Sequence, residues 1–269
     1  MPSMDRETVE RLLALNRAFY AAFARPFAAS RPVSDPALVC ILPYIPARAS
    51  VLDVGCGNGR LAFLLDRERP GTTYLGVDAV PELVELARAQ AAHFAAISAE
   101  FCVADVARPG WGKTLVGAGP SAEFTPSGAE GLRAGPSTGL RASFDCAVAL
   151  AVLHHIPSFD LRAQVLREIA SLLKPGGLLV LSTWQFLDSP RMRRKIVDWT
   201  EAGIPKEALE PGDYLLDWKR EGRGLRYCHL VDEAEVERLA AASGFCVRET
   251  FRAGGREGNL SLIALLDPA

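Results

Sequence analysis

Two rhythms of apolar residues alternate along this chain. Runs of strand length give way to segments in which apolar positions recur every three or four residues, the spacing of one helix face. "SVLDVG" (50–55), "TYLGVD" (73–78), "AEFCVAD" (99–105), "FDCAVALAVL" (144–153) and "LLVLSTW" (178–184) read as strands. Between them, "NGRLAFLLDRE" (58–68), "PELVELARAQAAHFAA" (81–96) and "LRAQVLREIASLL" (161–173) read as helices, with "KPGG" (174–177) as a turn. Strands that alternate with helices predict an α/β fold whose mostly parallel sheet is covered on both faces.

The ends of the chain elaborate this pattern. Val9, Leu12, Leu13, Leu15, Phe19 and Phe23 predict a helix over 5–24, broken by the three prolines of "RPFAASRPVSDP" (25–36). "DEAEVERLAAASGF" (232–245) reads as a helix with Asp232 and Glu235 at capping-box spacing and Gly244 as its stop. "CVRETF" and "LSLIALL", joined by the short "RAGGREGN", predict two closing strands that run antiparallel. Two stretches depart from the alternation. Residues 107–142 are rich in Gly, Ser, Pro and Ala, carry "GLRA" twice, and predict a low-complexity surface insertion. Residues 185–230 predict irregular chain with a short helix around 190–202. The expectation is one domain over 1–269, opening with a helical segment (1–48) and interrupted by insertions at 107–142 and 185–230.

Composition changes this picture little. With 49% hydrophobic and 23% charged residues the chain is ordinary globular material, and its formal net charge of −2 gives no global signature of a nucleic-acid binder. Basic residues cluster locally in "RMRRK" (191–195) and "KREGRGLR" (219–226), either as solvated faces or as phosphate contacts. The six cysteines, at 40, 56, 102, 146, 228 and 246, form no CxxC pair and no metal-ligand spacing, so no metal site is expected. The N-terminus lacks a continuous apolar h-region and no run reaches bilayer length, which predicts a reduced, cytoplasmic protein without a membrane partner.

Candidate chemistry begins at "VLDVGCGNGR" (51–60), where Gly55, Gly57 and Gly59 follow the first strand. Ligands of open α/β sheets bind beyond the carboxyl ends of the strands, and this turn lies there. The dinucleotide fingerprint is G-x-G-x-x-G, whereas this chain has G-x-G-x-G with Arg60 next, which speaks against a pyrophosphate cradle. Asp78 ends the second strand, where an acid can accept both ribose hydroxyls, and Asp105 ends the third, where its carboxylate or a nearby N–H can hold an adenine edge. The fourth strand runs into "LHHIP", which puts His154 and His155 above the sheet.

"VLDVGCGNG", "LGVDAV", "VADV", "FDCAVALAVLHH" and "LLKPGGLLVLSTW" resemble, in order, the successive motifs of the class I S-adenosylmethionine-dependent methyltransferases. The resemblance covers roughly 49–184 and the closing helix and strands. It implies a Rossmann-like seven-stranded sheet, mostly parallel with the last strand antiparallel and helices on both faces. It also implies a cofactor site at Asp53, Gly55, Cys56, Gly57, Asn58, Gly59, Asp78, Ala79, Ala104, Asp105, Val106 and Leu150.

The flanks resemble more narrowly the tRNA wobble-uridine carboxyl methyltransferases. "YAAFARPFAASR" (20–31), "LAVLHH", Trp184, "LLDW" (215–218), "RYCHLVDEAEVE" (226–237) and the "GN" at 258–259 carry that likeness. Asp35, Asp217, Cys228 and Leu260 depart from it, standing where that family has tryptophan, proline, tyrosine and tryptophan. The implied activity is methyl esterification of carboxymethyl-uridine in tRNA, with a small zinc-binding activator subunit as a partner. Arg31, His154 and His155 would be catalytic; Tyr20, Trp184, Trp218, Arg226, Tyr227 and His229 would bind substrate. A carboxylate is ionised near neutral pH, so its methylation requires no general base, and a planar guanidinium, on Arg31 or Arg226, can hold it bidentately. The alternatives are a small-molecule O- or N-methyltransferase and a non-catalytic cofactor-binding partner protein.

Overall fold

A computed structural model describes residues 4–31, 35–115 and 144–269. Its strands are β1 (Ser50–Val54), β2 (Thr73–Asp78), β3 (Ser98–Val103), β4 (Phe144–Leu150), β5 (Leu173–Trp184), β6 (Ile196–Val197), β7 (Asp213–Trp218), β8 (Gly224–His229), β9 (Phe245–Ala253) and β10 (Ser261–Pro268). Its helices are α1 (Arg6–Ala29), α2 (Pro36–Val39), α3 (Arg60–Glu68), α4 (Pro81–Ala91), α5 (Phe159–Leu172), α6 (Pro190–Arg193) and α7 (Glu233–Ser243). Seven strands make one sheet in the order β3-β2-β1-β4-β5-β10-β9, while β6, β7 and β8 make a separate antiparallel sheet. Among the described residues no helix is long and apolar enough to cross a membrane.

The period of two in the sequence becomes two apolar layers. On β4, Cys146 and Val148 pack with Leu61 and Leu65 of α3 and Val84 of α4. Ala147 and Ala149 face the other way, toward Leu166 and Ile169 of α5 and Leu239 of α7. Each valine, leucine or isoleucine among them contributes about 1.5–3 kcal/mol on burial, so a one-residue slip of register is strongly opposed. β10 enters antiparallel between β5 and β9, pairing Ser261 with Trp184 and Leu266 with Leu179 on the β5 side. The helix stop and start signals hold at α7: the Asp232 side chain accepts from the Glu235 N–H (2.8 Å), and Gly244 turns left-handed at φ 78°.

Four expectations change. The first helix does not end before Pro26. Phe23 leaves helical geometry (φ −118°, ψ 20°), so Pro26 falls in the first turn of a second helical segment, where its missing N–H breaks no bond. "KPGG" lies inside β5 as a bulge: Leu173 pairs with Phe144 and pairing resumes at Leu178 opposite Cys146. Residues 107–115 are not a surface excursion, since Ala107, Trp111 and Leu115 are buried in the main core; the rest of the predicted insertion, 116–142, lies outside the described residues. The segment 185–230 has the short helix α6 within the expected stretch but also carries the β6–β7–β8 sheet, with Leu215 and Tyr227 packed on Leu12 of α1, and Leu216 and Cys228 packed on Trp184.

That second sheet is fastened to the main body by a buried charge cluster. Arg162 of α5, 1% exposed, sets Nη2 at 2.8 Å from Glu210 Oε2 and, off the hydrogen-bond line, 2.9 Å from Glu235 Oε1 of α7. His229 of β8 bridges Asp213 (Nδ1–Oδ1 2.6 Å) and Glu235 (Nε2–Oε2 2.9 Å). Burial alone would lower the imidazole pKa, but the bonds to the two carboxylates outweigh it and the pKa is raised. Glu235 moves the other way: burial would raise its pKa, and His229 and Arg162 lower it on balance.

The protonated His229 therefore contributes stability that is complete below the unfolded value of about 6.5 and is lost as pH rises through its raised native value. The Glu235 contribution is complete above its unfolded value and is lost as pH falls through its lowered native one. Urea unfolding of the wild type should show a decline above neutrality that His229→Asn removes. Glu235→Gln should lose about 3 kcal/mol, because the remaining buried charges are left uncompensated. A Glu235→Gln variant as stable as its parent would show the cluster to be idle.

Candidate active site

A cleft opens where the strand order reverses between β1 and β4, above the carboxyl ends of the strands. Its floor is the turn after β1. Gly55 (φ +72°) lies so close to Val152 that a Cβ would come within 2.4 Å of Cγ2, and Gly57 (φ +56°) has open space where its Cβ would stand. The first glycine is thus a close-packing requirement; the second leaves backbone bare to a ligand. Asp78, ending β2, accepts from the N–H groups of Gly57 and Val80, both at 2.9 Å. Burial raises its pKa, while those N–H groups and that of Ala79 oppose the rise. Cys56, Asn58, Ala79, Ala104, Asp105, Val106 and Leu150 complete the wall expected from the sequence.

Two members of the expected cofactor set do not reach the cleft. Gly59 caps α3 and packs against Ala87 and Phe101. Asp53 is buried under the turn, where the Tyr74 hydroxyl donates to it at 2.5 Å. Burial, opposed by that bond and assisted by Asp78, pushes Asp53 up to about 7.

The opposite wall belongs to α1 and the chain after β4. Tyr20, Phe27, Arg31, His155 and Trp184 line it. His155 Nδ1 lies 3.0 Å from the Tyr227 carbonyl and so carries the proton, which leaves Nε2 to accept from the Tyr20 hydroxyl at 2.8 Å. Burial, then the charge of Arg226, push His155 down to about 3, so it stays neutral. Between the two adjacent histidines the geometry decides: His154 is turned into the core, its Nδ1 3.3 Å from the Trp184 N–H.

Arg226 and Trp218 lie behind this wall. Arg226 is 2% exposed, its guanidinium 4.8 Å from the Trp184 ring centroid, 5.3 Å from that of Phe19 and 5.7 Å from that of Trp218. Its Nε and Nη1 have no hydrogen-bond partner among the described residues. Arg31 stacks over Phe27 (4.5 Å) and Trp184 (5.1 Å), and burial, with Arg60 and Arg226 nearby, brings its pKa down to about 10. Among the described residues neither arginine has a carboxylate within 4.0 Å.

Tyr227 and His229, expected at the substrate, are placed elsewhere. The Tyr227 hydroxyl donates to Asp213 (2.8 Å), and His229 lies in the charge cluster. Glu210, Asp213 and His229 bring ligand atoms within 4.8 Å of one another, but Arg162, Tyr227 and Glu235 engage those groups. Asn16 and Arg17 are among the cleft residues that were missed. Asn16 donates from Nδ2 to the carbonyls of His155 (3.1 Å) and Tyr227 (3.2 Å) and accepts the Tyr227 N–H at Oδ1 (2.9 Å). Arg17 pairs with Asp105 at 3.3 Å. Asn16 had a signal: it is a polar residue on the apolar stripe of Leu12, Phe19 and Phe23.

The family of proteins described as "Methyltransferase domain" matches residues 25–250. A tRNA (carboxymethyluridine(34)-5-O)-methyltransferase of Arabidopsis thaliana is 24% identical over 213 residues, 76% of this chain and 41% of that protein. A ubiquinone biosynthesis O-methyltransferase of Xanthomonas axonopodis pv. citri is 32% identical over 138 residues, 51% of this chain and 44% of that one. The chain thus matches less than half the length of either relative. Among solved structures, a SAM-dependent methyltransferase of Methanosarcina mazei superposes with a TM-score of 0.59 at 22% identity, covering 84% of this chain and 95% of that one. A family match over most of the chain, on a sheet whose strand order and antiparallel strand agree with it, makes this protein a member of the methyltransferase domain family and a class I S-adenosylmethionine-dependent enzyme.

Proposed function

We propose that this enzyme methylates an acceptor carboxylate, that of carboxymethyl-uridine at the tRNA wobble position. The observation that carries the reading is Arg226, a guanidinium buried behind the cleft with two unpartnered nitrogens and Arg31 beside it. A buried charge without a counter-ion is unfavourable by several kcal/mol, and an anionic substrate group removes that penalty. The likeness to the Arabidopsis wobble-uridine enzyme supports the choice of carboxylate.

The residues of the cleft fit the cofactor: Gly57 offers open backbone, and Asp78 keeps acceptor capacity beyond its two N–H bonds. In this reading Gly55 to Asn58 hold the amino-acid end, Asp78 the ribose, and Asp105 with Val106 the adenine. When bound, S-adenosylmethionine supplies an electrophilic methyl group on a sulfonium. Arg226 and Arg31 fix the acceptor carboxylate, and the 185–230 sheet with α1 closes the site against water. Alignment of this kind can lower a barrier by roughly 7–11 kcal/mol in favourable systems.

The attacking oxygen already carries its charge, so no residue has to take a proton. His155, held down to about 3 and bonded at both nitrogens, suits a positioning role and is a poor base. A phenol, with a pKa of about 10, would need such a base, which weighs against a phenolic acceptor. A small-molecule carboxylate is the second reading, favoured by the near-neutral net charge.

Asp78→Ala should weaken binding of S-adenosylhomocysteine by about 30-fold in calorimetry, the scale of hydrogen bonds to a charged group; unchanged affinity would remove Asp78 from the site. Arg226→Met should lower kcat/KM about 100-fold, within the range for losing a buried charge-paired contact. Its melting temperature should hold or rise, because the variant exchanges an unpaired charge for apolar packing. A destabilised variant would assign Arg226 to folding instead. Methyl-labelled cofactor, incubated with carboxymethyl-uridine tRNA alone and with a zinc-binding activator subunit, should give label that mild alkali releases as methanol. Alkali-stable label would overturn the ester, and label found only in a small carboxylate would replace tRNA with the second reading.

A further inference from the structure

Trp218, beside Arg226, gathers further cations. Lys195 Nζ lies 5.8 Å and the Arg220 guanidinium 5.9 Å from the ring centroid that Arg226 approaches at 5.7 Å. The indole N–H donates to the Arg220 carbonyl (2.8 Å), which fixes the turn after β7. Lys195, next to β6, is half-buried; Arg220 and Arg191 are exposed.

Three acids near these cations are already engaged elsewhere. Asp217 takes Lys219 and Arg223, each at 3.1 Å, Glu201 takes Arg223, and Asp198 takes Lys206. Among the described residues, Lys195, Arg191 and Arg220 have no carboxylate within 4.0 Å. The Lys195 ammonium is disfavoured first by burial and then by Arg226, Arg191, Arg220 and Arg31, which lowers its pKa. Like charges gathered beside one ring are relieved by an anion, and the exposed Arg191 and Arg220 can reach one from solvent.

We infer that Lys195 and Arg220, with Arg191 at the rim, form a phosphate-binding site for the nucleotide that carries the acceptor group into the cleft. The choice of a nucleotide rests on the proposed function; the phosphate site itself rests on the cations. Lys195, Arg220 and Arg226 all approach the Trp218 ring, at 5.8, 5.9 and 5.7 Å from its centroid, so one molecule bearing both anions would reach both. Phosphate contacts would then set register while Arg226 selects the carboxylate.

The test is Lys195→Gln/Arg220→Gln, two side chains outside the cleft. Binding of a short fluorescein-labelled single-stranded RNA should lose about 1.4 from the slope of log K against log salt, roughly 0.7 per phosphate contact. KM for carboxymethyl-uridine RNA should rise about tenfold or more, consistent with two lost phosphate contacts, while the free nucleoside keeps its kcat and KM. The 5′-monophosphate locates the source: a full effect there means a mononucleotide ligand, and an effect confined to RNA means the strand. An unchanged salt slope and KM, or an equal loss on the nucleoside, would overturn the phosphate site. If the wild type esterifies none of the three, the carboxylate reading fails and the RNA salt slope alone still decides the phosphate site.

Discussion

The acceptor half of this protein depends on one buried amide. Asn16 pairs with both the N–H and the carbonyl of Tyr227, as a neighbouring strand would, and spends its second N–H on the His155 carbonyl. A single side chain thereby holds α1, β8 and the histidine turn in fixed relation. Tyr20 meets His155 because α1 is seated in this way, and Arg226, one residue before Tyr227, is carried to its place behind Trp184. The amide is buried, so each of these bonds is made without water competing for the same groups.

Two buried arginines show how differently the same group can be used. Arg162 is surrounded by Glu210, Glu235 and a backbone carbonyl, and its charge is answered inside the protein. Arg226 meets aromatic faces and other cations, and its charge is answered by no carboxylate among the described residues. Only the second arrangement leaves binding capacity for something that arrives from outside. The distinction lies in what surrounds each guanidinium, because both side chains are almost fully buried.

The main sheet was legible in the sequence because its central strands, covered on both faces, read as continuous apolar runs, and because the glycine turn, Asp78 and Asp232 are local signals. The second sheet was not. Its strands are short, and Asp213, Asp217, Arg226 and His229 interrupt any apolar rhythm. Likeness to a family brought Tyr227 and His229 forward as substrate residues, but their side chains belong to the charge cluster. Pro26 misled for a local reason: the kink at Phe23 restarts the helix and makes proline acceptable.

The position of β10 bears on how the chain comes to be folded. β5 is completed on one side by β4, synthesised earlier, and on the other by the segment Ser261–Pro268. Until that segment has left the ribosome, the partly made sheet ends in an unpaired apolar strand, Leu178 to Trp184, the kind of edge that recruits other chains. Productive closure is therefore a long-range event. A chaperone that shields this edge would act during the interval between synthesis of β5 and arrival of β10.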